Sequence, residues 1–434
     1  MITNTLSDTS TPGKKSPLRW VIAVALLLAA VLNYIDRSVL GLLAPTIQKE
    51  LVLSDNAYAM VINFFLTGYT IAYLLSGRLV DKIGVRLSMA LFIAWWSISN
   101  ALTGLARSVW SLSTFRFMLG LGEAGGFTAS PKAVSEWFPA SERGIAIGLY
   151  SVGGALGATI APGLVAVISG HLGWRWVFAI SPILGGLWLV FWFSIYKTPV
   201  AHETEHLSEP ETSAPAVTAA PVSEISVWRK VFSEPRVWLL LVARLLTDPV
   251  WYFYQFWMPK YLSTVRGLDQ NGLGRMWTIF LAADIGFLLG GLLSGLLIKR
   301  GLFAPASRLR IMLVSAFLVP LSALIPGMAT VGGVFAVSTA IAYGLTSWLG
   351  NLSAMIVDLL PQRILGTAFG VIACGSALGG MVMNSLNGWL FQHHHYNTPF
   401  YLMAFLHPLT LILVWRLGRK PAGTGPAGPT PVLT

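Results

Sequence analysis

LNYIDRSVL, residues 32–40, places an aspartate beside an arginine inside an apolar run that reaches from about residue 20 to 47. A charge at the centre of a lipid bilayer costs a few kcal/mol on insertion scales, so two of them in such a run need partners and a purpose. The rest of the chain shows that lipid is the relevant solvent. Of 434 residues, 55% are hydrophobic and only 11% charged, a balance foreign to soluble domains. Apolar runs of about 20 residues, enough to cross a bilayer, recur roughly twelve times. They lie near 20–47, 57–80, 87–106, 110–131, 144–170, 175–196, 237–262, 273–298, 309–328, 331–358, 365–390 and 399–416. Several are longer than a crossing needs, which implies helices that tilt, bend or project into water. The composition predicts an all-α polytopic membrane protein.

The first seventeen residues are polar and include Lys14 and Lys15, and the run after them is too long for the apolar part of a cleavable signal. The N-terminus is expected to stay cytoplasmic, and an even number of spans returns the C-terminus to the same side. Lysine and arginine counts agree. Of 29, cytoplasmic segments would carry 20 and external segments 6, with Arg37, Arg116 and Arg244 inside spans. Membrane orientation thus accounts for the net charge of +11, with no nucleic acid as partner. The single cysteine, Cys374, excludes an intramolecular disulfide and argues against a structural zinc site.

Between the sixth and seventh runs the composition changes to HETEHLSEPETSAPAVTAAPVSEIS, residues 202–226. Such a segment cannot bury a core, so residues 198–233 are expected to be a cytoplasmic linker between bundles at 19–197 and 234–418, with tails at 1–18 and 419–434. The two halves echo each other. SGRLVDKIG at 76–84 resembles SGLLIKRG at 294–301, and the offset of Gly77 from Gly295 carries Tyr34 onto Tyr252 and Arg37 onto Gln255. The glycines of these stretches are expected to let helices approach closely. Internal repeats with a site at their interface are a common transporter design.

The chain lacks the G-x-x-x-x-G-K-[ST] loop of an ATP-driven pump and any ring of repeated charges or short filter of a channel. Its polar intramembrane residues are scattered over separate helices, as in a gradient-driven carrier. In the first span Asn33, Tyr34 and Arg37 share a helical face, while Asp36 lies about 100° round from Arg37. Tyr34 and Arg37 are candidates for a substrate and Asp36 for coupling; a helix-packing ion pair is the alternative. In TFRFMLGLGEAGGF, Arg116 and Glu123 stand nearly two turns apart, about 10 Å. An arginine fork matches a carboxylate, and a carboxyl out of water can carry a proton unless Arg116 or another cation opposes it. A salt bridge within or between helices is the alternative. In RLLTDPVWYFYQFW, residues 244–257, Arg244 and Asp248 are spaced to pair, and Pro249 should break or kink the helix. Tyr252, Tyr254 and Gln255 could bond a hydroxylated ligand or form part of an aromatic belt. Asp284 is open to a coupling or structural role, and Tyr69 is a weaker substrate candidate. HHHY at 393–396 has metal-ligand composition but no added carboxylate or cysteine, so no metal is expected.

These stretches resemble the major facilitator superfamily, and within it the anion:cation symporter family, nearest to the hexuronate transporters. SGRLVDKIG looks like the superfamily's loop motif, and NYIDR, RFMLGLGEAGGF and SEWFPASERGIAIG look like the symporter family's signatures. ARLLTDPVWYFYQFWMPKYL and FLAADIGFLLGG are similar to the hexuronate branch. The resemblance implies twelve transmembrane helices in two pseudo-symmetric six-helix bundles. It implies that Arg37 and Arg116 hold a substrate carboxylate, that Asp36 and Glu123 carry protons, and that Tyr34 and Tyr69 line the site. It assigns Asp81, Arg86, Glu142 and Arg143 to a cytoplasmic latch. The sequence departs from the family in having Ala373, Ser376 and Ala377 where asparagines are frequent and Tyr73 where glutamine is frequent.

The expectation is therefore a monomeric inner-membrane carrier of a bacterial type that imports a hexuronate, such as glucuronate or galacturonate, with protons by alternating access. Substrate ligands would be Tyr34, Arg37, Tyr69, Arg116, Tyr252 and Gln255. No cofactor beyond protons and no catalysis is expected. An aldonate or aromatic acid, or sodium coupling, is the nearest alternative; a non-transporting sensor is disfavoured because the chain carries no appended signalling domain.

Overall fold

The computed structural model describes residues 17–138, 140–197 and 224–418, and among these residues it contains helices and connecting turns with no strand. The first half opens with α1 (Leu18–Leu42) and the short α2 (Ala44–Glu50). Next comes α3 (Asp55–Gly104), begun by Ser54, whose side chain accepts from the Ala57 N–H. At 50 residues α3 is too long for one crossing, and it bends at Gly84, where φ is 78°, into two arms that each span. The half continues with α4 (Val109–Trp137), α5 (Ala140–Leu172) and α6 (Trp174–Ile195).

The second half begins with α7 (Glu224–Ser233) and α8 (Pro235–Tyr252), then a π-turn (Phe253–Trp257) leading into α9 (Met258–Arg266). After α10 (Gln270–Gly274) come α11 (Trp277–Lys299), α12 (Ala304–Leu318) with a 3-10 extension (Val319–Gly327), α13 (Val331–Leu359), α14 (Gln362–Gln392) and α15 (Thr398–Val414). Nine helices among the described residues have the length and hydropathy of a span. The bend makes α3 count twice, and α4 and the α8–α9 rod bring the number to the expected twelve; α8 fails the simple test because Arg236, Arg244 and Asp248 all fall within its 18 residues. Exposed Leu187, Val190, Phe317, Phe405 and Ile412 point outward, an apolar surface suited to lipid.

Helix pairing repeats between halves. In the first, α1 packs on α5 and α3 on α4; in the second, α8 packs on α14 and α11 on α13. The halves meet through α3 with α14 and through α5 with α11, the same contact with the halves exchanged. Such pairing is what the weak internal repeat requires.

Close approach of helices depends on glycines other than those expected. A Cβ on Gly77 or Gly295 would meet nothing within 4 Å, so these two face open space. The glycines that end the same stretches, Gly84 and Gly301, have φ of 78° and 88° and serve as turn residues. Tight packing falls instead to the glycines of RFMLGLGEAGGF. A Cβ on Gly120 would lie 2.3 Å from the Phe65 carbonyl, and one on Gly122 or Gly125 would run into Trp96 or Phe92 of α3. Pro249 does not break α8. It leaves the Leu245 carbonyl, four residues earlier, without its helical donor, and Gly379 of α14 packs directly against that oxygen. The irregularity comes one turn later, as the π-turn.

The tail at 1–16, linker residues 198–223 and the tail at 419–434 lie outside the described residues. The last ten residues of the stretch read as linker form α7, with Val231 buried and Trp228 stacked on Phe232.

Replacing Gly120 by valine should lower the thermal unfolding midpoint through overpacking worth about 1–3 kcal/mol or more. Gly186→Ala, in open space on α6, should leave that midpoint unchanged or slightly raised, as differential scanning of the detergent-solubilised protein would show.

Candidate functional site

The glycine-lined seam between α3 and α4 brings α4 close enough for Glu123 to face α1. There Arg37 donates Nε and Nη2 to the same oxygen, Oε2 of Glu123, at 2.9 and 2.7 Å. Glu123 is fully buried, and its Oε1 finds no hydrogen-bond partner among the described residues. Arg37 keeps a small exposed fraction and is wrapped by aromatic faces, with its guanidinium carbon 4.8 Å from the Tyr69 ring centre, 5.3 Å from Tyr34 and 5.6 Å from Phe65. Ring faces carry negative potential, so this cage favours a cation.

Arg116 lies 5.1 Å from the centre of the same Phe65 ring. It is completely buried, and none of its three guanidinium nitrogens hydrogen-bonds within the described protein. A buried arginine fork with every donor unspent is costly unless an anion meets it. The seven-residue spacing left open whether Arg116 or another cation would answer Glu123. Arg37, arriving from α1, is the partner.

Asp36 turns away from Arg37, as the helical angle requires. Its Oδ1 accepts from Asn100 Nδ2 at 2.8 Å and its Oδ2 from the Ser181 hydroxyl at 2.7 Å, which fastens α1 to the second arm of α3 and to α6. Neither Asn100 nor Ser181 stood out beforehand, although each is a polar residue inside an apolar run. The adjacent pair in NYIDR is therefore no ion pair.

From the second half, Tyr252 shares a 3.2 Å hydrogen bond with Ser376 of α14, and Gly380 makes room for its ring. Gln255 is buried in the π-turn, its backbone carbonyl packed onto Gly41, one turn past Arg37. The chain offset that pairs Arg37 with Gln255 thus joins two residues on facing elements. Tyr69 also stacks toward Tyr73, with ring centres 5.6 Å apart. Arg244 pairs with Asp248 at 2.9 Å and also reaches Ser353 at 2.7 Å, a structural tie between α8 and α13. Tyr254 is fully buried in the core. Asp284 accepts from Thr159 of the first half at 2.9 Å.

Of the residues assigned to the latch, Asp81 pairs with Lys132 of α4, and Arg86 donates to the Phe193 carbonyl at 3.3 Å. The side chains of Glu142 and Arg143 lie outside the described residues. In HHHY, His393 Nδ1 lies 2.8 Å from the Trp389 carbonyl and His394 Nδ1 lies 2.8 Å from the Tyr396 hydroxyl.

Two like bundles of apolar helices meeting around a polar centre of arginines, carboxylates and tyrosines have the build of a multi-pass membrane transporter. The chain belongs to the Major Facilitator Superfamily, whose pattern matches residues 26–353. It is 28% identical over 414 residues to the hexuronate transporter of Escherichia coli strain K12, covering 93% of this chain and 95% of that one. It is 32% identical over 283 residues to the galacturonate transporter of Dickeya chrysanthemi, covering 63% of this chain and 81% of that one. The crystal structure of a D-xylose-proton symporter shares the fold, with a TM-score of 0.75 at 16% identity over 92% of this chain and 99% of that one.

Asn100→Leu should cost about 1–3 kcal/mol of stability by leaving Asp36 Oδ1 buried without its donor. Adding Asp36→Asn to that variant should recover most of the loss, because a neutral side chain is cheaper to keep dry. Thermal unfolding of the single and double variants checks both steps.

Proposed function

We propose that the chain is a secondary active transporter that imports a hexuronate, such as glucuronate or galacturonate, with protons by alternating access. The carrying observation is that Arg37, the cation in the aromatic cage, spends two donors on one oxygen of Glu123 while Arg116 spends none among the described residues. An ionised Glu123 competes with a substrate carboxylate for Arg37. A proton on Glu123 removes the competitor's charge, so the Arg37 fork turns to the incoming anion. Proton binding and anion binding thereby become mutually supporting, which is the coupling a symporter needs.

The other groups have roles consistent with a sugar acid. Arg116 supplies a second fork with free donors. Tyr34, Tyr69 and Tyr252 with Gln255 present hydroxyl and amide groups, and aromatic faces suited to the C–H faces of a sugar ring. The names of the similar proteins, hexuronate and galacturonate transporters, support the same substrate class. Both halves of one chain furnish the site, so the monomer is the working unit, in a bacterial inner membrane with both termini cytoplasmic by the charge count.

Hydrogen bonds between the halves, including Tyr58 to the Phe256 carbonyl, the Asp55 N–H to Gln392 and Lys260 to Gln48, fall at one end of the molecule. The distribution of lysine and arginine supports this end as the outer one, which makes the arrangement inward-facing. A monoanion moving with one proton carries no net charge and is driven by about 1.4 kcal/mol per unit of pH difference. A second proton would add about 2.3 kcal/mol per 100 mV of membrane potential.

Arg116→Ala should abolish binding of glucuronate measured by calorimetry or scintillation proximity. Glu123→Gln should retain binding and counterflow in proteoliposomes but lose accumulation driven by an imposed pH gradient. A Glu123→Gln protein that still concentrates the sugar acid would refute the coupling role. Uptake of glucuronate, galacturonate, aldonates and aromatic acids, with pH or sodium gradients imposed separately, tests the substrate and the ion; no uptake of any sugar acid would overturn the substrate class.

A further inference from the structure

The end at which the halves meet is held by a ring of polar side chains that the substrate site does not use. Lys260, on α9, is only 9% exposed. Its ammonium pairs with Asp55, the first residue of α3, and donates to Gln48 Oε1 of α2 at 2.7 Å. Gln48 closes the ring by donating Nε2 to Asp55 Oδ1 at 2.9 Å. Asp55 is tied to the second half once more, because its backbone N–H donates to Gln392 Oε1 at the end of α14, 3.0 Å away. Gly388, one turn earlier on α14, lies against the Asp55 carbonyl and Asn56. A mostly dehydrated ion pair is stable when both partners keep their hydrogen bonds and unstable when one is removed. The ring therefore behaves as a unit: separating the halves here must expose Lys260, Asp55 and Gln48 together.

The ring is joined to the substrate site by a short, irregular piece of chain. Lys260 sits one turn beyond the π-turn Phe253–Trp257, which holds Gln255, and Tyr252 stands at its start. The π-turn presents two successive carbonyls to the first half: that of Gln255 packs on Gly41, and that of Phe256 accepts from the Tyr58 hydroxyl at 2.9 Å. A π-turn holds one residue more than an α-turn, so converting one to the other rotates the helix on its C-terminal side by about 100° relative to the helix on its N-terminal side. Such a rotation would carry Lys260 away from Asp55 while the α8 side of the rod stays in place.

We propose that Gln48, Asp55 and Lys260 form the latch of a gate at this end, with the π-turn pinned by Tyr58 as its hinge. It rests on the alternating-access reading of the transporter but not on the identity of the anion. The latch holds the two halves closed at this end while the site opens at the other; release of the π-turn frees Lys260 and lets this end open.

The test is the rate at which a polar maleimide labels a cysteine inside the gate, in purified protein, with no substrate required. Ala59→Cys, in a Cys374→Ala background, places the thiol at a buried position of α3 that packs on Gly388 of the other half. Labelling should be slow in this parent and at least about tenfold faster with Lys260→Met, which leaves Asp55 unpaired. Gln48→Leu should give a smaller increase, because the ion pair survives. The exchanged pair Asp55→Lys with Lys260→Asp should return labelling toward the parent rate, which a merely misfolded protein would not do. Tyr58→Phe should speed labelling with the ring intact. Parent-like rates in both Lys260→Met and Gln48→Leu, or an exchanged pair as fast as Lys260→Met, would overturn the latch; a parent-like Tyr58→Phe would remove the π-turn from the gate. Because the measurement uses no sugar acid, its failure is separable from failure of the hexuronate reading.

Discussion

The site depends on one ion pair that has left water. Arg37 and Glu123 come from helices that need not have met, and their attraction must offset the desolvation of both groups. Two hydrophobic residues of similar volume would stabilise the α1–α4 contact at least as well, so strength of packing does not explain the pair. Its geometry does offer something a hydrophobic contact cannot. Both donors fall on a single carboxylate oxygen, leaving the other oxygen unpartnered among the described residues, and the guanidinium carbon lies 4.8 Å from the centre of the Tyr69 ring. Such a pair is held closely enough to be stable and incompletely enough to exchange one partner for another.

Around it, the backbone is arranged so that the pair can form. Gly120, Gly122 and Gly125 remove side chains from the α3–α4 seam, and Gly154 and Gly157 do the same where α5 receives the Tyr34 ring. Small residues are the means by which membrane helices approach, since lipid supplies no hydrophobic drive between them. The sequence stretch that looks richest in charge chemistry is therefore also a packing device: the spacing of its glycines sets the depth at which Arg116 and Glu123 are buried.

Local geometry made part of this legible from the chain alone. A 100° step separates Asp36 from Arg37 whatever surrounds them, and a four-residue step lets Arg244 meet Asp248, so those relations came from helix periodicity. Span number came from hydropathy even where α4 and α8 are too polar for a simple threshold. What periodicity could not supply was any partner from another helix. Glu123 chooses Arg37 over Arg116, and Asp36 chooses Asn100 and Ser181, because of how α1 lies across α3, α4 and α6. The π-turn was hidden for a related reason: its extra residue is fixed by the contacts of Gln255 and Phe256 with the first half, not by the local run FYQFW. Gly77 and Gly295 show the opposite error, where a motif suggested close packing and the helices leave space.

The two buried carboxyls differ in a way that bears on coupling. Glu123 is paired with a residue that also faces the aromatic cage, so any event at the cage changes its surroundings. Asp36 is held by Asn100 and Ser181, and both belong to the first half, as does the helix that carries it. If the halves move as rigid bodies about the site, those two donors travel with Asp36 and its hydrogen bonds stay the same in both orientations. Under alternating access a coupling group must change its affinity between states. On this reading Glu123 changes its affinity by exchanging partners, whereas Asp36 would do so only through its access to water, and its two hydrogen bonds also fix α1 against α3 and α6 at the level where Arg37 must be aimed.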